Sequence, residues 1–254
     1  MMHDLLKLPI VASEHGANVD ELVVLVHWLM GILLVLWSAY FVYVLIRFRA
    51  SRNRKADYVG VKSHASTWLE VGVASFEAIL LLGFAIPLWA RVADDFPKDG
   101  DAVVVRVVAE QFGWNYIYPG PDGKFGRQDL NLVAADNPFG FDKSDPATKD
   151  NFTTLNEMHV PKGKPVILNI SSKDVIHSFK VLPLRVTQDC IPGLNIPVHF
   201  KATKIGKFQV TCAQLCGNGH AAMANGMVVV DEAEDYTKWA AAKSAGGGAA
   251  TSFE

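Results

Sequence analysis

Cysteine is scarce, with three in 254 residues, so no disulfide framework holds this chain together. Basic charge is not in surplus either. Lys and Arg number 24 against 26 Asp and Glu, and a formal net charge of −2 removes the electrostatic case for nucleic acid. No Cys-x2-Cys-His string occurs, so the sequence carries no attachment site for a c-type haem. No internal repeat is visible. What is not lacking is apolar material, at 50 % of residues, and that excludes disorder of the whole chain.

The most informative absence is local. Residues 22–46 contain no Asp, Glu, Lys or Arg over 25 positions. At ~1.5 Å per helical residue that stretch exceeds the ~30 Å hydrocarbon core of a bilayer. Residues 68–90 form a second run, interrupted only by Glu70 and Glu77. Trp28, Trp37 and Tyr40 lie in the first run, and Trp68 and Trp89 bound the second, where an aromatic belt belongs. Between the runs, residues 47–67 carry Arg47, Arg49, Arg52, Arg54, Lys55 and Lys62 against the single acid Asp57. The basic loop therefore faces the cytoplasm, and both termini lie outside, in a bacterial periplasm. The first run starts too late, and without a basic lead or a small-residue cleavage site, to be a signal peptide. The expected layout is a periplasmic segment 1–21, a transmembrane hairpin 22–90, an external domain 91–243 and a disordered tail 244–254.

The external part reads as all-β. Short β-rich runs at 101–108, 114–118, 165–171, 177–182, 196–202, 207–212 and 227–231 are separated by turn signals such as Pro119-Gly120, Asp122-Gly123 and Pro192-Gly193. This spacing suggests a sandwich or Greek-key barrel. Residues 119–155 read as an extended polar loop, and 231–243 as a short surface helix.

One string carries chemistry. Cys212-Ala-Gln-Leu-Cys216-Gly-Asn-Gly-His220-Ala-Ala-Met223 sets two thiols, an imidazole and a thioether in one loop at a strand end. Outside the cytoplasm, a Cys212–Cys216 disulfide competes with a metal site. The His and Met at fixed offsets favour metal, and the soft donor set favours copper. A thioether is not a usual zinc ligand, and there is no second cysteine pair for an iron–sulfur cluster. A single blue copper needs only one Cys, whereas two thiolates can bridge two ions. A second imidazole is then required. His177, in Asp174-Val-Ile-His177-Ser-Phe, is the best candidate, ahead of His159 and His199. Cys190 reads as a small buried residue.

The two spans, the Asp-Val-Ile-His-Ser-Phe string and the Cys-x3-Cys-x3-His-x2-Met loop resemble subunit II of the haem–copper cytochrome c oxidases, over residues 20–240. That resemblance implies a cupredoxin-like Greek-key β-barrel holding the binuclear copper site CuA. Cys212 and Cys216 would bridge, His177 and His220 would be terminal ligands, Met223 a weak axial ligand, and the backbone carbonyl of Gln214 the other axial ligand. The chain would relay electrons from a periplasmic cytochrome c or haem domain to haem in subunit I, where oxygen is reduced and protons are pumped. It would not itself reduce oxygen.

Some positions depart from the family pattern. Gln214 replaces a Glu that commonly contacts magnesium at the subunit I interface, which puts that ion in doubt. Phe112 stands where the family usually has the Trp that receives the electron, and Trp114 matches the last Trp of that segment. Asp174 and Asp189 match acids near the site and are candidates for donor docking. Glu70 matches the glutamate at the entrance of a proton channel. Glu77 has no family counterpart, and its place on the same helix face points to a protein partner in the membrane. Two rival readings remain: the copper-bearing subunit of a nitric-oxide reductase, and a membrane-anchored copper carrier or chaperone.

Overall fold

Two helices begin the chain in the computed structural model, which describes residues 5–55, 58–60, 62–98 and 100–245. Helix α1 runs Gly16–Arg47 and α2 runs Ala65–Ala93. Each is long and apolar enough to cross a membrane, and neither apolar window is buried within the protein. Leu34, Trp37, Phe41, Trp68 and Leu82 are all exposed. Apolar side chains surround α1 rather than forming one stripe, as a lipid environment allows. The acid expected at position 57 lies outside the described residues.

Helix α2 is not uniform. It passes through a five-residue π turn, Leu81–Ala85, before resuming as Ile86–Ala93. The cause is in the sequence. Pro87 has no N–H to offer the carbonyl of Gly83, four residues earlier, so the α-helical ladder breaks there.

The second unit comprises Pro9–Ala17 and the chain from Val92 onward. Among the described residues its ten strands are β1 (Val103–Glu110), β2 (Gly113–Tyr118), β3 (Phe152–Leu155), β4 (Glu157–Pro161), β5 (Pro165–Ser172), β6 (His177–Val181), β7 (Val186–Cys190), β8 (Ile196–Lys201), β9 (Gly206–Cys212) and β10 (Gly226–Asp231). They form two five-stranded sheets, ordered β3-β2-β1-β5-β8 and β4-β10-β9-β6-β7. The pairs β1/β5 and β4/β10 are parallel and the others antiparallel. This is a cupredoxin-like arrangement.

Alternation places the core. Val105, Val107 and Ala109 of β1 point inward while Val104, Arg106 and Val108 do not. They meet Trp114, Tyr116, Phe179, Val210, Val228 and Val230, all fully buried. Burying one such side chain contributes about 1.5–3 kcal/mol.

Three strands were not legible as strands. β4 and β7 lie outside the expected runs, and β3 occupies the end of the expected loop 119–155. Before β3, residues 119–151 form an ordered cover over the outer face of β1. Arg106 of that face stacks on Phe125, 4.2 Å from the ring centroid. Asn151 Nδ2 donates to the carbonyls of Pro119, Lys124 and Ala147, and Arg127 pairs with Asp142.

The amino-terminal segment also joins this unit. The amide of Ala12 donates to Pro183 O, and those of Glu14 and Thr203 donate to Lys201 O and Ala12 O, at 2.8–3.0 Å. Helix α3, Ala233–Ala245, closes the fold, with Trp239 against Tyr118, Phe152 and His159. Ser244 and Ala245 therefore end a helix rather than begin a tail, and the rest of the expected tail lies outside the described residues.

Candidate metal centre

Strand pairing builds the site. Antiparallel pairing of β6 with β9 sets Phe179 opposite Cys212, which brings His177, at the start of β6, beside the end of β9. The chain leaves β9 at Cys212, turns through residues 213–219 and enters a 3-10 helix, His220–Asn225. The amide of Ala213 donates to Ser178 O, fastening the loop to β6 at 2.9 Å. Trp114 Nε1 donates to Met223 O at 2.8 Å and fixes the other end.

The ligand atoms of His177, Cys212 and Cys216 lie within 4.8 Å of one another. Both cysteines are free, with their sulfurs 3.8 Å apart. His220 Nδ1 is 3.4 Å from Cys216 Sγ, and Met223 Sδ is 3.4 Å from the same sulfur. His177 Nδ1 is 3.1 Å from Met223 Sδ, and the Gln214 carbonyl oxygen is 3.0 Å from Cys212 Sγ. His177 and Met223 are fully buried and Cys216 nearly so. Burial, then the neighbouring Cys212 thiol, push Cys216 up to about 12. A soft, sulfur-rich donor set out of water fits copper in its chemistry.

Asp174, expected at a docking surface, is exposed, and its carboxylate also reaches the site: Oδ1 lies 2.9 Å from His177 Nε2, and Oδ2 accepts from the Gln111 amide at 2.7 Å. A carboxylate accepts only, so Nε2 carries the proton and the lone pair on Nδ1 faces the sulfurs. Burial raises the Asp174 carboxyl, but the bonds from His177, Gln111 and Val175 together hold it below its ordinary value.

The β1–β2 turn lies on the ligand loop. Gln111 Nε2 donates to Cys216 O at 2.7 Å. Phe112 sits so close to Gly219 that a Cβ there would come 2.6–2.7 Å from its ring carbons Cγ and Cε2. Gly217 has φ +129° and also touches this ring, so the loop needs glycine at both positions. Trp114 is buried, 6.3 Å between ring centroids from His177. Gln111 and the two glycines were missed in the sequence; the Gly-x-Gly spacing between Cys216 and His220 was the available signal.

The other candidates lie elsewhere. Asp189 is exposed on β7, in register with Ser178. Cys190 is buried opposite His177. His159 bonds Asp231 and Glu157 and stacks on Trp239, and His199 packs on Phe96. Glu70 and Glu77 line one groove between α1 and α2, with Trp37 and Tyr40.

Residues 103–232 match the family model described as cytochrome c oxidase subunit II, periplasmic domain. The chain belongs to the cytochrome c oxidase subunit II family. It is 29 % identical over 230 residues to the alternative cytochrome c oxidase subunit 2 of Bradyrhizobium diazoefficiens, covering 90 % of this chain and 81 % of that one. Cytochrome c oxidase subunit 2 of Cereibacter sphaeroides is 28 % identical over 236 residues, at 84 % and 74 % coverage. Among solved structures, the periplasmic domain of subunit II (CoxB) of Bradyrhizobium japonicum is 28 % identical, covering 59 % of this chain and 98 % of that one, with a TM-score of 0.43.

This subunit II is thus the periplasmic, electron-accepting subunit of a haem–copper oxidase, distinct from the subunit that reduces oxygen. Membership implies a catalytic subunit I and a cytochrome c donor as partners. Its two apolar helices and periplasmic-type domain make it a bacterial membrane protein.

Proposed function

We propose that this subunit II holds a binuclear copper centre and accepts electrons there, one at a time, from a periplasmic cytochrome c or haem domain. Cys212 and Cys216 would hold the ions through their thiolates, with His177 and His220 as imidazole ligands and Met223 and the Gln214 carbonyl as weaker ones. A copper pair sharing two thiolates supplies a one-electron carrier whose charge is spread over both metals, with little change of shape on reduction. The reading is carried by the convergence of His177, Cys212 and Cys216 with His220 and Met223 at one place.

The chain's own residues prepare that site. Asp174 fixes the tautomer and ring plane of His177. Gln111 anchors the loop at Cys216 O, and Phe112 covers its glycine backbone on the side where we place electron arrival. Trp114 ties the loop's far end to the barrel and lies beside His177. Asp189 is free to serve donor docking. Electrons would pass on to haem in subunit I, where oxygen reduction is coupled to proton pumping. The hairpin would place residues 47–67 in the cytoplasm and both termini in the periplasm, with Glu70 at the cytoplasmic entrance of a proton channel. Gln214, exposed on the loop, offers a neutral amide oxygen where the family commonly offers a carboxylate to magnesium.

Electron paramagnetic resonance of the copper-loaded protein tests the centre. A shared electron gives a seven-line copper pattern, and Cys216→Ser abolishes it. A four-line spectrum from the unaltered protein would refute the binuclear reading.

A further inference from the structure

A second pocket lies in the membrane unit, far along the sequence from the copper ligands. Asn18, Glu21, Leu22 and Leu25 of α1 and Gly83, Phe84, Pro87, Leu88 and Arg91 of α2 enclose about 330 Å³. We infer that this pocket binds one phospholipid with a zwitterionic, amine-bearing headgroup, of the phosphatidylethanolamine class, from the outer leaflet.

Position is the first argument. Glu21 lies near the start of α1 and Arg91 near the end of α2, two residues before the helix gives way to the periplasmic domain. Both charges therefore stand at the outer membrane boundary. Leu25 is one turn inward from Glu21, ~6 Å, and Phe84 about two turns inward from Arg91, ~10 Å. A charged mouth above an apolar floor of that depth matches a headgroup above the first part of its acyl chains.

Charge is the second. Glu21 and Arg91 have opposite signs and share one pocket, yet among the described residues neither makes an ion pair. Arg91 suits the phosphate, for which guanidinium is the preferred partner. Glu21 and Asn18 supply acceptors for an ammonium. A choline headgroup offers no N–H to them, and a glycerol headgroup leaves the Glu21 carboxylate facing net negative charge.

Backbone is the third. The π turn Leu81–Ala85 brings Gly83 and Phe84 into the wall, and Pro87 brings no N–H to the Gly83 carbonyl. The wall thus includes a helix irregularity of a kind that is frequent at functional sites.

The inference rests on the two-span reading, and the experiment separates them. The oxidase complex, with this chain intact, is placed in nanodiscs of equal parts phosphatidylethanolamine, phosphatidylcholine and phosphatidylglycerol, then released for native mass spectrometry. Phosphatidylethanolamine should be retained on this subunit about tenfold over phosphatidylcholine, the order of one charge-assisted hydrogen bond. Glu21→Gln should bring that ratio towards one while leaving total retention. Arg91→Gln should reduce retention of all three lipids. Equal retention in the unaltered complex, a preference for phosphatidylglycerol, or a ratio indifferent to Glu21→Gln overturns the headgroup assignment. A pocket filled by another subunit, seen as no retained lipid while the complex stays in the nanodisc, overturns it as well. Failure of the chain to insert at all would instead refute the two spans.

Discussion

Gly219→Ala is the substitution that tests how the ligand loop is held. Its new Cβ would stand 2.6 and 2.7 Å from Cγ and Cε2 of Phe112, and closer still to Cδ2. Carbon atoms rest at ~3.5–4.0 Å, so the ring or the loop must retreat by about 1 Å. Overpacking of that kind costs about 1–3 kcal/mol. The backbone adds no penalty, because Gly219 has φ −93° and ψ 13°, where any residue is at ease. Alanine in fact restricts the unfolded chain and returns about 0.4–1 kcal/mol. The net expectation is a loss of up to about 2.6 kcal/mol, the difference of the two terms. For a unit of about 150 residues this lowers the midpoint of thermal unfolding by up to about 10 °C. With Phe112→Ala already in place the clash is gone, and Gly219→Ala should then be neutral or stabilising. The change of sign between backgrounds is the signature, read by circular dichroism of the β-sheet signal across the four proteins. A Gly219→Ala penalty of equal size in both backgrounds would refute the account of Phe112 as the ring that pins this loop.

Asp174→Asn keeps the shape beside His177 but removes the charge that holds its Nε2 proton. Copper affinity, measured by chelator competition, should fall about 10–100-fold, as losses of a ligand's hydrogen-bond partner do elsewhere; unchanged affinity would refute the positioning role. Asp142 accepts from Ser144 and pairs with Arg127, and these contacts hold its carboxyl down at about 2. Its folded value lies below its unfolded one, so its contribution is complete above about pH 4 and is lost as pH falls towards about 2. Asp145, held low by the amides of Arg127 and Ala147, adds in the same direction. Protection from hydrogen exchange in 119–151, relative to the intrinsic rate at each pH, should therefore fall over that acid range, and Asp142→Asn should flatten the response. Glu70→Ala should slow haem reduction in the assembled oxidase without changing electron arrival at copper; normal turnover would exclude the proton-entrance role.

The parts of this molecule that were legible in its sequence share one property: their determinants are local. The spans show as uncharged runs, because a helix in lipid meets its requirements within its own residues. The ligand loop shows as a spacing, because four of its donors fall within twelve consecutive positions. Strands β1, β2, β5 and β9 show as β-branched or aromatic runs. β3, Phe152–Leu155, has such residues but only four positions, at the end of a long polar stretch, and β7 has Val186 and Thr187 followed by the polar Gln188 and Asp189. They are strands because β2 and β6 offer them ladders. The amino-terminal segment is bound in the same way, through carbonyls at Pro183 and Lys201.

Asp174 shows what this means for function. From sequence it is one acid three residues before a candidate ligand, and a docking role is as natural as any other. Its surroundings come from β1–β2 and β6, which lie more than sixty residues apart in the chain at Gln111 and Asp174. Once those elements meet, both carboxylate oxygens have protein partners, in His177, the Gln111 amide and the Val175 amide. Both acids are exposed, but Asp174 spends its charge on these bonds, whereas Asp189 on β7 has no such role at the site. The two roles separate experimentally. Asp189→Asn should weaken donor association in a salt-dependent manner while sparing copper affinity, and Asp174→Asn should do the reverse. If both substitutions change only the salt dependence, Asp174 belongs to the docking surface after all.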